Sequence, residues 1–336
     1  GLGPGEVEAR MVEEGAVAAL KAAAESHQEE LGELCTVGLY NLTCVNRPYQ
    51  YVDRVIKAFA QLASPNHLNA QVTRVCASAF CNLCDLPECH PRLIEEGVVQ
   101  AATTLAHRAH QDAATCRICA IVLHLLAQNP QVGAELVAKN ALGVLATLSQ
   151  RSDHPTLHYC ALAFLRLSRD KACQYKVALE GLGPLCAIAV KLPDRPQAAR
   201  PCAAALRNLA SRRDTLELMA SGPQKDSVAA ALVLLLHRSQ DEPALLRALQ
   251  TLGNLLAAEA PPVRELVDRG VLASVARLAR QDFADPAVAR AAGLALYNLS
   301  CLDDRDAKMA VVEAGAAPAV LHLSGRGGGG GGRSGG

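Results

Sequence analysis

The sequence predicts an all-α protein in which one helical unit is repeated along the chain as a solenoid. Half of the 336 residues are hydrophobic, yet only 3% are aromatic and none is Trp. The core is therefore built mainly from Ala, Leu and Val, a composition that suits close packing of helices better than sheets. The hexapeptide LYNLTC at residues 39–44 returns as LYNLSC at 296–301. Related phrases lie between the two at a nearly constant spacing.

The repeat is defined by one position, called the pivot here. In five phrases the pivot is an Asn followed by Leu, and in two more it is a His or an Arg followed by Leu. The seven pivots are Asn41, Asn82, His124, Arg166, Asn208, Asn254 and Asn298. They are separated by 41, 42, 42, 42, 46 and 44 residues. A period near 42 residues is typical of a helical solenoid.

Each unit is predicted to contain three helices. A short first helix such as PRLIEEG ends at a residue suited to positive φ, and an apolar second helix such as VLASVARLAR follows. These turn residues are Gly15, Gly97, Asn140, Gly181, Gly222 and Gly270, and Gly315 opens an incomplete eighth unit. A polar break then precedes the long third helix, which runs through the pivot. The break often contains Asp then Pro (SDHP, PDRP, QDEP, ADP), a helix-start signal.

Three helices, a Gly corner and the phrase A/C-x-x-A-L-x-N-L in the third helix resemble the armadillo repeat over nearly all of residues 6–324. The resemblance implies a right-handed α-solenoid of about seven armadillo repeats plus a truncated eighth. HEAT repeats, which have two helices, are the alternative, and the recurrent Gly corner argues against them. Unit two lacks that Gly, unit six carries an insertion near SGPQKDSV, and unit three could be framed one residue later. Residues 325–336 are predicted to form a flexible Gly-rich tail.

Composition narrows the classes of partner. Lys plus Arg equals Asp plus Glu at 33 each, so the overall charge favours neither nucleic acid nor a membrane surface. The longest apolar run, residues 228–236, is far shorter than the roughly 20 residues that span a bilayer. Thirteen Cys spread through apolar segments favour reduced thiols, and so a cytoplasmic or nuclear location.

One group of cysteines has the composition of a metal site. CASAFCNLCDLPECH places Cys76, Cys81, Cys84, Cys89 and His90 within fifteen residues. The repeat offers another explanation, because several cysteines stand six residues before a pivot, where other units have Ala: Cys35, Cys76, Cys160 and Cys202 against Ala248 and Ala292. Free Cys behaves as a small hydrophobe. We therefore expect cysteines that fill the core, with no metal and no cofactor.

Enzyme motifs are missing from the sequence. It contains no P-loop, no G-x-S-x-G and no H-E-x-x-H, and its ten His are scattered. We expect no catalytic residues and no enzymatic activity.

The resemblance implies that the third helices line a concave groove along which the pivots form a ladder. An Asn amide can bind both the N–H and the C=O of an extended peptide, although it can also bond the backbone of a neighbouring repeat. Seven or eight residues before the pivots stands a second, mostly cationic row: Arg74, Arg117, His158, Arg200, Arg247 and Arg290, with Glu33 in unit one breaking the series. This row predicts an acidic peptide. A solvated helix face is the alternative, since Arg is a good helix former.

The function predicted from this groove is that of a non-catalytic protein-interaction scaffold or adaptor, resembling β-catenin-like and vacuolar armadillo adaptors. Its partner is expected to be a protein that supplies an extended, acidic segment. One alternative is an importin-α-like nuclear-import receptor, which the absence of Trp disfavours because such receptors stack Trp on the Lys stems of basic cargo. Others are an RNA-associated protein using the Gly/Arg tail, and the interaction part of an armadillo-containing ubiquitin ligase. With only Arg326 and Arg333 in the tail, RNA is not favoured.

Overall fold

The computed structural model describes residues 6–25, 29–44, 51–63, 69–108, 112–151, 153–301, 308–309 and 312–313. The described residues are almost entirely helical and contain no strand. The chain divides into two compact units, Gly1–Cys173 and Gln174–Gly336, which are treated separately below. None of the described helices combines the length and the apolar character that a membrane-spanning segment needs.

The first unit contains eleven described α-helices and one 3-10 turn, Pro87–Cys89. The helices are α1 (Glu6–Glu13), α2 (Ala16–Ala24), α3 (Glu29–Asn41), α4 (Val52–Leu62), α5 (Ala70–Cys84), α6 (His90–Glu95), α7 (Val98–Arg108), α8 (Ala113–Gln128), α9 (Gly133–Ala138), α10 (Ala141–Ser149) and α11 (His154–Arg169). Helices α3, α5, α8 and α11 end at or just beyond a pivot, as predicted for third helices.

The second unit continues the same pattern. Helix α12 (Lys171–Lys176) begins just before the unit boundary, and a π-helical turn, Val177–Gly181, follows it. The remaining helices are α13 (Leu182–Lys191), α14 (Pro196–Leu209), α15 (Arg213–Ser221), α16 (Lys225–Arg238), α17 (Glu242–Leu256), α18 (Val263–Asp268), α19 (Val271–Arg280) and α20 (Pro286–Cys301). Here the third helices are α14, α17 and α20.

The helices of each unit pack in chain order, as the solenoid prediction requires. In the first unit α3 packs on α5, α5 on α8, and α8 on α11; in the second, α14 packs on α17 and α17 on α20. Second helices form another layer, seen in the contacts of α7 with α10 and of α13 with α16. The Leu after the pivot is buried in six units and half-buried at Leu125. The all-α solenoid prediction is confirmed in this sense.

Four predicted turn residues have the left-handed backbone. Gly15 (φ 94°), Gly97 (φ 91°), Asn140 (φ 72°) and Gly270 (φ 80°) lie between a first and a second helix, where Gly or Asn tolerates positive φ. The sequence prediction is wrong at Gly181 and Gly222, whose φ angles are −99° and −73°.

Both exceptions have a proline nearby. Pro184 has no N–H to bond the carbonyl of residue 180, and its ring crowds that carbonyl. The helix therefore widens to the π form over Val177–Gly181 and continues into α13 without a corner. Gly222 precedes Pro223, which disfavours helical backbone at the residue before it, and Gly222 is accordingly extended (ψ 178°).

The Asp–Pro start signals of the third helices are mostly confirmed. The side chains of Asp153 and Asp241 accept backbone N–H groups from residues 156 and 244, and Asp285 accepts that of residue 287. The prediction is wrong for Asp194, because α14 begins one residue later with Arg195 at the capping position and no side-chain cap. Gly315 of the predicted eighth unit and the tail over 325–336 lie outside the described residues.

Two glycines offer a matched test of the corner geometry. Replacing Gly270 by Ala forces a side chain onto a left-handed residue, so unfolding free energy should fall by about 1–2 kcal/mol. At Gly253, inside α17, an added Cβ meets nothing within 4 Å, and φ is not positive. Gly253→Ala should therefore stabilise by about 0.5–1 kcal/mol. Urea denaturation of both variants checks this. Equal effects of the same sign would contradict the assigned corner.

Candidate functional site

The third helices of each unit present a row of polar side chains on one face, called the third-helix face here and made of the pivots and the residues seven or eight before them. Asn41 is exposed, and Asn82, Arg166, Asn208, Asn254 and Asn298 are half-buried. His124 is the exception, being 8% exposed. Six of the seven predicted pivots therefore reach the surface, three in the first unit, where His124 is the exception, and three in the second.

Two pivot amides bond the preceding repeat. Asn254 Nδ2 donates to the carbonyl oxygen of Ala210 at 3.0 Å, at the end of α14. Asn82 Nδ2 donates to Thr43 Oγ1 at 3.1 Å and lies 3.6 Å from Cys44 Sγ. These contacts tie each amide nitrogen to its neighbour and fix the orientation of the side chain. The amide oxygen of each remains an acceptor on the surface.

The two pivots that are not Asn lie in successive repeats and influence each other. Burial, then the positive charge of Arg166, then His158 lower the pKa of His124 to about 4, so the ring is neutral at physiological pH. Its Nε2 lies 2.8 Å from Gln128 Nε2 and accepts that amide proton. His124 Nδ1 and Arg166 Nε are buried, and neither has a hydrogen-bond partner among the described residues.

The second row makes contacts that the sequence did not predict. Arg200 donates from Nε and Nη2 to the two carboxylate oxygens of Asp241, at 3.1 and 2.5 Å. Arg74 Nη2 lies 3.4 Å from Asp112 Oδ2. Each Asp caps the third helix of the next repeat. The row therefore contributes to repeat stacking as well as to the surface.

Unit one forms the equivalent contact, but here the capping residue is the hydrogen-bond donor and the second-row residue is the acceptor. Asn69 caps α5 through its Oδ1, and its Nδ2 donates to Glu33 Oε1 at 3.0 Å. Glu33 is the acidic residue that interrupted the cationic row in the sequence. Its place is explained by the chemistry of the next cap, since an Asn cap offers an N–H where an Asp cap offers a carboxylate. In the sequence, each of these second-row residues precedes the capping residue that it contacts by 36 to 41 positions. This spacing is the signal from which the contacts could have been predicted.

The rest of the second row is more open. Arg117 and Arg290 are exposed, and neither forms an ion pair with a described residue. Arg247 Nη1 donates to the carbonyl of Pro243 in its own helix at 3.0 Å. His158 packs against Tyr159, with ring centroids 5.1 Å apart. On α20, Leu294 and Tyr297 are 57% and 64% exposed, four and seven residues after Arg290.

The cysteines lie mainly in the core. All thirteen are free thiols, and those at the position six before the pivot are buried together with Ala248 and Ala292. Burial raises the pKa of Cys76 to about 12 and also raises that of Cys160. The His90 Nε2 proton is donated to the carbonyl of Cys84 at 2.8 Å. Over the described ranges, no three His, Cys, Asp or Glu side chains are grouped to hold a metal ion.

No protein-family model and no curated protein matches the chain. Among solved structures, an engineered protein is 21% identical with a TM-score of 0.59, covering 93% of this chain and 75% of its own. Computationally designed armadillo repeat proteins for modular peptide recognition are 19% identical, with a TM-score of 0.55 over 72% of this chain and 99% of theirs. Another designed armadillo repeat protein is 19% identical with a TM-score of 0.53 and covers 73% of this chain and 99% of its own.

The chain has an armadillo-repeat fold. The likeness covers both compact units in the first comparison and most of the chain in the other two. It agrees with the period, the Gly or Asn corners and the third helices read from the sequence. At these identities the likeness carries the fold, and the role of the third-helix face has to be argued from its own side chains.

The small-residue position of the armadillo repeats can be tested at Cys160, which is fully buried. Cys160→Ala should lower the unfolding free energy by no more than about 1 kcal/mol, since Ala fills the equivalent site elsewhere. Cys160→Leu should cost about 1–3 kcal/mol through overpacking. Chemical denaturation measures both. A Leu variant as stable as the Ala variant would contradict close packing at this position.

The clamp between Arg200 and Asp241 predicts a pH-dependent contribution. The hydrogen bond from Arg200 lowers the pKa of Asp241, so its stabilisation is present above the ordinary Asp pKa and is lost as pH falls through the lowered value. Asp241→Asn keeps a capping side chain and should cost no more than about 1 kcal/mol at pH 7, because Arg200 is half exposed. Asp241→Ala should cost about 1–2 kcal/mol.

Stability curves for the unmodified protein and Asp241→Asn should therefore converge as the pH falls through the lowered pKa of Asp241. A difference that persists unchanged at low pH would show that the carboxylate charge is not the source of the effect.

Proposed function

We propose that the chain is a non-catalytic protein-interaction scaffold whose third-helix face binds an extended segment of a partner protein. The observation that carries this proposal is the regular row of half-exposed polar pivots on helices that pack side by side within each unit. Designed proteins with this fold are described as made for modular peptide recognition, which supports a similar use of the face here.

The spacing of the helices suits an extended ligand. Packed helices lie about 8–10 Å apart, and an extended peptide advances about 3.3 Å per residue. One pivot therefore meets roughly every third peptide residue. The Asn254 amide nitrogen is held by Ala210, so its oxygen is oriented to accept a peptide N–H without further loss of side-chain freedom.

We assign the preference for an acidic segment chiefly to Arg117 in the first unit and to Arg247 and Arg290 in the second. Arg74 and Arg200 contribute less, because their guanidinium groups already contact Asp112 and Asp241. Those two contacts also support the assignment, since they place a carboxylate against the position eight residues before the pivot, which Arg290 occupies in its own repeat. Arg117 and Arg247 stand one residue later in theirs.

The last described repeat adds an apolar component. Leu294 and Tyr297 on α20 expose more than half of their surface beside Arg290. A hydrogen bond with Cys301 raises the pKa of Tyr297 and links its hydroxyl to the end of the helix. A segment that carries both acidic and apolar side chains fits this repeat. Such a ligand agrees with an adaptor role in the cytoplasm or nucleus and differs from the Lys-rich cargo of an import receptor.

The experiment is a peptide-array screen of the full chain followed by affinity measurements on the selected peptides. Arg247→Glu/Arg290→Glu should weaken binding of acidic peptides at least tenfold, because two exposed contacts of up to about 1 kcal/mol each are replaced by repulsion. Arg280→Glu is the matched control. Arg280 is an exposed residue at the end of α19, a second helix, and its reversal should leave affinity unchanged.

Selection of Lys-rich peptides by the unmodified protein would overturn the acidic preference. Equal losses in the double variant and the Arg280→Glu control would show that overall charge, and not the third-helix face, determines binding. Affinity for true ligands should also fall as salt rises, since the arginines are solvent-exposed.

A further inference from the structure

Two cavities of the first unit lie in corresponding places, where the third helices of adjacent repeats end. One, of about 700 Å³, lies where α5 and α8 end and includes Asp85, Glu88, Gln128 and Asn129 in its lining. The other, of about 430 Å³, lies one repeat further, where α8 and α11 end, and is called the basic cavity here. Its polar lining consists of Gln128, Asn129, Arg166, Arg169, Asp170 and Lys171.

The two cavities differ in the sign of their charge. Three residues after the pivot stands Asp85 in repeat two and Arg169 in repeat four. The first cavity is lined by two carboxylates, those of Asp85 and Glu88. The basic cavity is lined by three cationic side chains, those of Arg166, Arg169 and Lys171, and by one carboxylate, that of Asp170. Asp85 and Arg169 border their cavities from different helices, the earlier one (α5) and the later one (α11). The repeat position itself therefore accepts either sign, and the cations are not a requirement of repeat stacking.

The carboxylate in the basic cavity is already engaged. Asp170 Oδ1 accepts the backbone N–H of Ala172 at 2.9 Å, and its Oδ2 accepts the Cys173 thiol proton at 3.2 Å. Neither Arg166 nor Arg169 forms an ion pair with any residue that the structure describes. These two guanidinium groups therefore give the cavity a positive charge that is not paired with a described carboxylate.

Arg166 is the cation with most to gain from a ligand. Its Nε is buried and has no acceptor among the described residues, which is an unfavourable state for a charged donor. An anion bound by Nε and one terminal nitrogen of the guanidinium would satisfy it, after a small rotation of the side chain into the cavity. The neutral His124 beside it adds no competing charge and holds Gln128, a lining residue, through the 2.8 Å contact.

We propose that the basic cavity binds the phosphate group of a phosphorylated side chain. The inference deepens the proposed function and rests on it for the source of the phosphate, a phosphorylated residue in the bound segment. A phosphomonoester carries a charge of about −1.5 to −2 at pH 7 and several acceptor oxygens. Its oxygens can contact Arg166 and Arg169 together. A carboxylate has two acceptor oxygens, and a bidentate pair with one guanidinium group uses both of them.

The cavity can be tested with small probes. The full chain is titrated with O-phospho-L-serine and, separately, with glutamate at matched ionic strength, while the Arg Nε–H resonances are followed by heteronuclear NMR. Phosphoserine should shift the Arg166 and Arg169 signals saturably. Glutamate should bind at least tenfold more weakly. Equal affinity for the two probes would overturn the assignment to phosphate.

Substitutions locate the site. Arg166→Gln and Arg169→Asp, the latter placing the repeat-two residue in repeat four, should each weaken phosphoserine binding at least tenfold. Arg280→Gln removes the same charge from an exposed position outside both cavities and should have no effect. Phosphoserine binding that persists in both cavity variants, or that falls equally in the Arg280→Gln control, would overturn the proposal.

These probes separate this inference from the proposed function. Phosphoserine binding depends only on the cavity and should survive the Arg247→Glu/Arg290→Glu substitutions, which test the peptide site of the second unit. If the protein binds acidic peptides but not phosphoserine, the phosphate site is contradicted and the scaffold proposal still stands. Phosphoserine binding without any peptide selected in the array would leave the cavity as a small-anion site and sink the scaffold proposal.

Discussion

The close side-by-side packing of successive third helices is the interaction on which each compact unit depends. A single three-helix repeat cannot bury its own apolar faces, so its stability comes largely from the neighbours on which it stacks. Six of the seven units have a small residue six positions before the pivot, unit three having Ile118 there, and all seven have Leu just after the pivot. Cys160, Cys202, Ala248 and Ala292 are fully buried at the first position, and Leu209, Leu255 and Leu299 at the second. These constraints fix the opposite, exposed face of the same helices.

Polar contacts then set the register between neighbours, and they use residues of the exposed face. The Arg200–Asp241 clamp joins the surface row of one repeat to the helix cap of the next, and Asn254 bonds the end of the preceding third helix. A side chain engaged in this way has fewer donors left for a ligand. The stacking role and the proposed binding role therefore compete residue by residue, and the proposal depends on the open positions, such as Arg117 and Arg290.

The sequence predicted the period, the third helices and the buried cysteines, because each depends on a pattern repeated seven times. Position-specific features were harder to predict. Gly181 occupies the place of a corner residue, but Pro184 makes the chain continue as one helix through a π turn. Glu33 looked like a defect in a cationic row until the structure placed it against the Asn69 cap. The partner of a row residue belongs to another repeat, so local sequence alone does not determine whether an Arg is free or engaged.

The same reasoning explains why the break in the Asn ladder is informative. If His124 and Arg166 had replaced Asn at these two pivots without any functional consequence, neighbouring residues would be expected to form hydrogen bonds with their buried nitrogens. Instead both side chains retain a buried nitrogen without a partner among the described residues. Arg166 lines the basic cavity, and the cavity one repeat earlier is lined by two carboxylates. Unsatisfied buried polar atoms are uncommon in folded proteins and concentrate where a ligand or strain supplies the reason. The buried Arg166 nitrogen is therefore the observation on which the proposed phosphate site chiefly depends.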